Sequence, residues 1–277
     1  MTWDARLTLA RPDLARRDLE GVLRAQRFAD ADAFQVTLPV APLRAGPGRG
    51  AEQVDQLLFG ELFDVLEVAD GVAWGQARRD GYVGWVEMDA LSSQSTISTH
   101  WVSALRTFAF ADASIRSSSV GPFSLNALVT VGETTDKMAY VLGAGWIPRP
   151  HLAPIGAGFA EPAQAAARYL GTPYLWGGRD SLGMDCSGLV QQALYAAGRG
   201  CPRDADQQAR LGWPTSPKDL RRGDIVAWRG HIGMMLDARR LLHANAHHMA
   251  VAIEPLAAAV ARIAAGGGGQ PTAYRRL

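Results

Sequence analysis

Apolar and polar positions change rhythm along the chain in a way that divides it. Leu14, Leu19, Val22, Leu23 and Phe28 recur among Arg, Asp and Glu at the spacing of one helix face, which predicts a helical extension over residues 1–32. From Phe34 the text breaks into short apolar runs, FQVTLPV, LLFGELFDVLEVA, VAWGQAR and GYVGWVEM, separated by GPGRG, ADG and RDG. Short runs punctuated by turn residues predict a small, strongly bent β-barrel over residues 33–95. A less regular version, with TFAFADASIRSSS, LNALVTVGET and MAYVLGAGWIPRPHL, predicts a second barrel over residues 100–156. Residues 160–277 open with the helical text EPAQAAARYL, and SGLVQQALYAAG then sets Leu189, Val190, Ala193, Leu194 and Ala197 on one helix face, with Gly198 as its C-terminal cap. DIVAW, HIGMML, RLLHAN and MAVAIEPL follow as four adjacent antiparallel strands, so this region reads as an α+β domain.

Composition narrows the function classes. With 277 residues, 48% hydrophobic and 20% charged, the chain can bury more than one core. A formal net charge of +1 without a Lys/Arg run argues against nucleic-acid partners. No apolar stretch is long enough to insert in a membrane, and Asp4, Arg6, Arg11 and Asp13 interrupt the place where a secretory signal would lie. Two cysteines without a CxxC pair indicate neither a disulfide framework nor a thiolate metal site. The expected setting is the reducing cytoplasm, with no cofactor and no metal; oligomeric state is not readable.

The candidate chemistry centres on Cys186 in GMDCSGLV, where the predicted helix begins. Unpaired N–H groups at a helix start favour negative charge, so a thiol there is expected to ionise more easily and to attack carbonyl carbon as thiolate. A small buried packing residue is the other reading of the same cysteine. His231 opens HIGMML and His243 lies in LLHAN; a hairpin reversing around Asp237 would make them face one another across the ladder on one side of the sheet. A register slip of one residue would separate them.

GTPYLWGG, DCSGLV, RRGDIVAW, HIGMML and LLHA stand in the order and approximate spacing of the NlpC/P60 papain-like cell-wall peptidases, and the C-terminal region resembles that family closely. The first bent-strand stretch, through GYVGWV, resembles bacterial SH3 domains, and the second does so more weakly through GAGWIP. The implied architecture is two small SH3-like β-barrels followed by a papain-like α+β NlpC/P60 domain. The resemblance implies Cys186 as nucleophile, His231 as its base, His243 as the residue orienting that base, and Tyr174 of PYLWGG as an oxyanion donor beside the Cys186 N–H.

It also implies a murein peptide substrate, cut between γ-D-glutamate and meso-diaminopimelate or Lys. Some relatives require a free L-Ala amine held by acidic and phenolic groups. The candidates are Asp185, Asp204, and Asp80 with Tyr82; Ser187 and Trp176 are further candidates to line the cleft. Asp204 with Gln207 also reads as a capping box, Asp185 as a helix cap and Asp80 as a turn residue. Rival functions are a metal hydrolase built on His243, His247 and His248, a wall-binding protein without catalysis, and an acyl transferase or amidase of the same superfamily.

Overall fold

A computed structural model describes residues 3–277, and the chain divides into two compact units at Ile155/Gly156. In the first unit the residues between Asp32 and Ser92 form a seven-stranded antiparallel sheet around a core that includes Val36, Leu43, Leu57, Phe63, Tyr82 and Val86. Bulges between Leu43 and Arg44 and between Val65 and Glu67 bend its strands, as the frequent turn signals predict. Residues 100–154 contribute a five-stranded and a three-stranded sheet. Their core of Val102, Ala109, Phe123, Val129, Val141 and Ile147 is completed by Leu58 at the end of a strand of the preceding sheet and Phe59 in the turn after it, so the two modules share apolar packing within one unit.

The helical extension over residues 1–32 is not what forms, with residues 1 and 2 outside the described chain. Leu14–Arg16 and Arg27–Ala29 are short parallel strands joined through a 3-10 turn at Arg17–Leu19. Leu9 and Leu14 pack with Leu66 and Trp74 of the adjoining sheet, and the Arg11 guanidinium lies 4.1 Å from the Trp74 ring centroid. Val22, counted on the supposed helix face, is 56% exposed. The spacing marks separate anchors on an existing sheet; Pro12 and Gly21 interrupt any helix between them.

The second unit is built on a six-stranded antiparallel sheet. Its strands, in spatial order, are Trp213–Pro214, Ala273–Arg276, Ile225–Trp228, His231–Met235, Arg240–Asn245 and Ala250–Pro255. The last four in sequence order among the apolar runs are adjacent, as predicted; the C-terminal strand beside Ile225–Trp228 is an addition. Four helices accompany the sheet: α1 (Pro162–Ala167), α2 (Cys186–Ala196), α3 (Ala205–Gln208) and α4 (Leu256–Ala265). Helix α2 packs on α1 and on the strands His231–Met235 and Arg240–Asn245. Its Leu189, Val190 and Leu194 are at most 1% exposed, and burying each such side chain is worth about 1.5–3 kcal/mol. It ends in a Schellman turn at Gly198: the Arg199 N–H donates to Leu194 O and the Gly198 N–H to Tyr195 O. Helix α4 packs against Arg240–Asn245 and Ala250–Pro255, with Ala259 in a core shared with Met235, Leu241, Val226 and Trp228. No helix among the described residues is long and apolar enough to cross a membrane.

Candidate active site

Helix α2 begins with the cysteine because Asp185 caps it. The Asp185 carboxylate accepts the Gly188 N–H at 2.7 Å, leaving Cys186 as the first helical residue, whose own N–H has no intrahelical acceptor. A side chain at Gly188 would meet Gly178 O at 2.3 Å, so the glycine of DCSG allows the PYLWGG loop to close over the helix start. Cys186 is 7% exposed, and the backbone N–H groups of Ile232 and Ser187 lie near enough to favour the charged form of its sulfur. That places the thiol beside the strand residue following His231.

The thiol is not made easier to ionise. Burial, with the Asp185 charge adding to it, pushes Cys186 up to about 12; the two backbone amides and Arg203 pull the other way without prevailing. Help from the helix start exists, but desolvation outweighs it, which corrects the expectation drawn from position. Burial also pushes His231 down to about 3 and His243 to about 4. At neutral pH Cys186 is therefore a thiol, and both imidazoles are neutral.

The two histidines meet diagonally. The hairpin reverses through residues 236–239, where the Asp237 carboxylate accepts the N–H groups of Arg239 and Arg240, and the ladder pairs Met234 with Leu242 and Met235 with Leu241. Extending that register sets His243 opposite Gly233, two residues along from His231, and not opposite His231 itself; all three remain on one face. The glycine is required there: a Cβ on residue 233 would lie 2.9 Å from His243 Cβ and 2.8 Å from Leu241 Cδ1. Across that gap His231 Nε2 and His243 Nδ1 are 2.8 Å apart, with ring centroids at 5.1 Å. His231 Nδ1 is the ring nitrogen that the contact with His243 leaves unused.

Other predicted site residues have varied placements. Tyr174 is half-buried, and burial, with the charges of Cys186 and Asp185 adding to it, pushes its phenol well above its ordinary range, so it stays protonated. Asp185 and Ser187 are held in a buried network by a residue that sequence reading missed. Arg203 donates to Asp185 Oδ1 at 3.0 Å, Asp185 Oδ2 at 2.6 Å and Ser187 Oγ at 2.8 Å, while the Gly177 N–H donates to the same carboxylate. Asp204 forms the capping box of α3 with Gln207. Trp176 is 59% exposed. Asp80 and Tyr82 belong to the first unit: the Asp80 carboxylate accepts the Tyr82 N–H, and the Tyr82 ring is part of that unit's core.

Two more residues extend the histidine pair. His243 Nε2 lies 2.8 Å from Glu254 Oε1, and the Arg262 guanidinium of α4 donates to that same oxygen. His243, His248 and Glu254 bring possible metal-ligand atoms within 4.8 Å of one another, while His247, named in the metal-hydrolase rival, is not in that group. The donor set fits a metal poorly, since His243 Nε2 and Glu254 Oε1 are already bonded to each other and a guanidinium occupies the carboxylate.

Sequence comparison places this geometry among known proteins. Profiles for the bacterial dipeptidyl-peptidase SH3 domain and the NlpC/P60 family match residues 43–91 and 171–262. A γ-D-glutamyl-L-lysine dipeptidyl-peptidase of Bacillus subtilis is 30% identical over 211 residues, covering 68% of this chain and 71% of that protein. The chain belongs to the NlpC/P60 family. It is a cysteine peptidase with an SH3-like domain preceding its NlpC/P60 domain. Dipeptidyl-peptidase 6 of Lysinibacillus sphaericus is 27% identical over 236 residues, covering 74% of this chain and 85% of that one. In fold, the chain is similar to an NlpC/P60 family protein from Bacillus cereus, with a TM-score of 0.74 and 17% identity over 88% of this chain and 99% of the other.

Proposed function

We propose that this NlpC/P60 peptidase hydrolyses the amide between γ-D-glutamate and a diamino acid, meso-diaminopimelate or Lys, in short murein peptides with a free N-terminal L-Ala. The observation that carries the catalytic part is the 2.8 Å bond between His231 Nε2 and His243 Nδ1 beside the sulfur-bearing head of α2. The substrate class is supported by the B. subtilis relative, which is a γ-D-glutamyl-L-lysine dipeptidyl-peptidase. We read residues 100–156 as a divergent second SH3-like module, the catalytic unit as papain-like, and the setting as cytoplasmic recycling of wall peptides. Both cysteines are free thiols, which suits a reducing compartment.

In this mechanism the thiol proton passes to His231 Nδ1 as Sγ bonds the carbonyl carbon. The oxyanion is met by the Cys186 N–H and the Tyr174 hydroxyl. The imidazolium then protonates the departing amine of the diamino acid, leaving a thioester. Water, giving its proton to His231, attacks that thioester and releases the γ-D-glutamyl product with the thiol restored. Incubation with L-Ala-γ-D-Glu-diaminopimelate and its N-acetylated form, with products identified by mass, tests the proposal. Cleavage of the free-amine peptide alone, abolished by Cys186→Ala, is the expected result. Equal cleavage of both peptides removes the free-amine requirement, and cleavage surviving in Cys186→Ala removes the nucleophile.

A further inference from the structure

The buried chain of hydrogen bonds does not stop at the second histidine, and its far end decides what its near end can do. An ionised carboxylate only accepts, and Arg262 donates to Glu254 from the other side, keeping that carboxylate charged. The 2.8 Å contact between Glu254 Oε1 and His243 Nε2 therefore requires the proton of neutral His243 to reside on Nε2. His243 Nδ1 is then a bare lone pair. The 2.8 Å contact to His231 consequently requires His231 to donate its Nε2–H, and His231 Nδ1 is left unprotonated, the form needed to take a proton from sulfur. Without the carboxylate nothing in this chain fixes the order, and a His243 with its proton on Nδ1 would push the lone pair of His231 to Nε2, away from the thiol.

We propose that Glu254, held by Arg262, is a positioning residue that sets the proton order of the His231–His243 pair and stabilises the imidazolium formed during attack. It deepens the preceding proposal and rests on Cys186 and His231 acting as nucleophile and base. The arrangement is built by the fold: the ladder pairs His243 with Ala252 and Leu241 with Glu254, so Glu254 lies on the face of His243 and one diagonal step from it, repeating the relation of His243 to His231. The strand then runs directly into α4, which returns Arg262 to the carboxylate. His243 is fully buried and Glu254 partly so, its side chain 13% exposed.

During turnover the proton that leaves sulfur stays on His231 Nδ1 until the amine takes it; His231 Nε2–H, His243 Nε2–H and ionised Glu254 keep their states throughout. The charged groups acting on the pair are Glu254, which favours its protonation, and Arg262 and, at His243, His248, which oppose it; Asp185 and Arg203 act on Cys186 from the other side.

The test uses the full chain and reads the histidines and the thiol separately from peptide cleavage. Nitrogen-15 ring shifts of the wild-type protein at neutral pH are expected to show Nε2–H and bare Nδ1 on both His231 and His243. Glu254→Gln, whose amide can donate as well as accept, is expected to mix the two ring forms, lower kcat by about 10–100-fold with KM little changed, and slow iodoacetamide alkylation of Cys186 at neutral pH. Glu254→Asp should retain the ring order and recover part of the rate. Arg262→Met removes a repelling cation, so the acid limb of the alkylation profile should move to higher pH, opposite to its movement in Glu254→Gln. A wild-type His243 protonated on Nδ1, or a Glu254→Gln protein with unchanged ring shifts and alkylation within twofold of wild type, overturns the proposal, and the wild-type spectrum decides even if a variant does not fold. If the ring order and alkylation behave as expected while no murein peptide is cleaved, the substrate assignment fails and the relay stands.

Discussion

Arg203 is the most demanding test of how Cys186, the proposed nucleophile, is supported. Its side chain is 1% exposed and spends its two terminal nitrogens on Asp185 and Ser187 at 2.6–3.0 Å. Arg203→Met keeps the volume and removes the charge, leaving a buried carboxylate with only the Gly177 and Gly188 amides and the Ser187 hydroxyl as donors. Removing one partner of a buried ion pair costs about 3–5 kcal/mol. The remaining donors place this case near the lower end, about 3 kcal/mol, a large part of the roughly 5–15 kcal/mol that holds a domain folded. The same change leaves the Asp185 charge uncompensated beside Cys186, so thiolate formation becomes harder; each further pKa unit reduces the thiolate fraction about tenfold. Adding Asp185→Asn keeps a helix cap but removes the stranded charge, and should restore most of both losses. Urea unfolding followed by tryptophan fluorescence gives the stability, and the iodoacetamide rate of the folded protein gives the thiol. A single variant losing less than about 1 kcal/mol, or a double variant no better than the single, would refute the claim that Arg203 serves to neutralise Asp185.

Three further outcomes follow from the same geometry. Gly233→Ala forces a Cβ within 2.9 Å of His243 Cβ, which is anchored to backbone; a loss of about 1–3 kcal/mol in urea unfolding and a larger fall in kcat than in KM are expected, and normal kcat would mean that the histidine pair tolerates displacement. Tyr174→Phe deletes a hydroxyl that burial keeps protonated, so kcat should fall by roughly a hundredfold with KM nearly unchanged; steady-state kinetics showing full kcat would reduce Tyr174 to a packing residue. Because His243 is held neutral down to about 4 while an unfolded histidine protonates near about 6.5, the unfolded chain binds more protons in that window, and stability should fall as pH decreases from about 6.5 to about 4. Urea midpoints measured across this range should slope less in His243→Gln, and an equal slope would mean that His243 titrates as an ordinary exposed imidazole.

The contrast between what the sequence made legible and what it hid follows from how far each inference had to reach. Cys186 could be placed because its helix is continuous and one residue upstream is a capping aspartate, and the sheet strands because their apolar runs are short and separated by turns. The histidine pair needed a register, and a direct pairing was expected where the ladder gives a diagonal one; Gly233 carried the missing information, since a glycine inside a buried strand implies that something approaches it closely. The N-terminal segment misled because helix-like spacing over few residues cannot be told from anchors docking one at a time on a sheet. Arg203 had no local signal, for its burial depends on a loop returning beneath the start of α2. Glu254 did have one: it is the single charge in the strand MAVAIEP, and a carboxylate on a buried face must be answered by a donor on that face. Two-residue periodicity already put Glu254 on the same side as Ala252, the partner of His243, so once the register is known the side chain that meets the carboxylate follows.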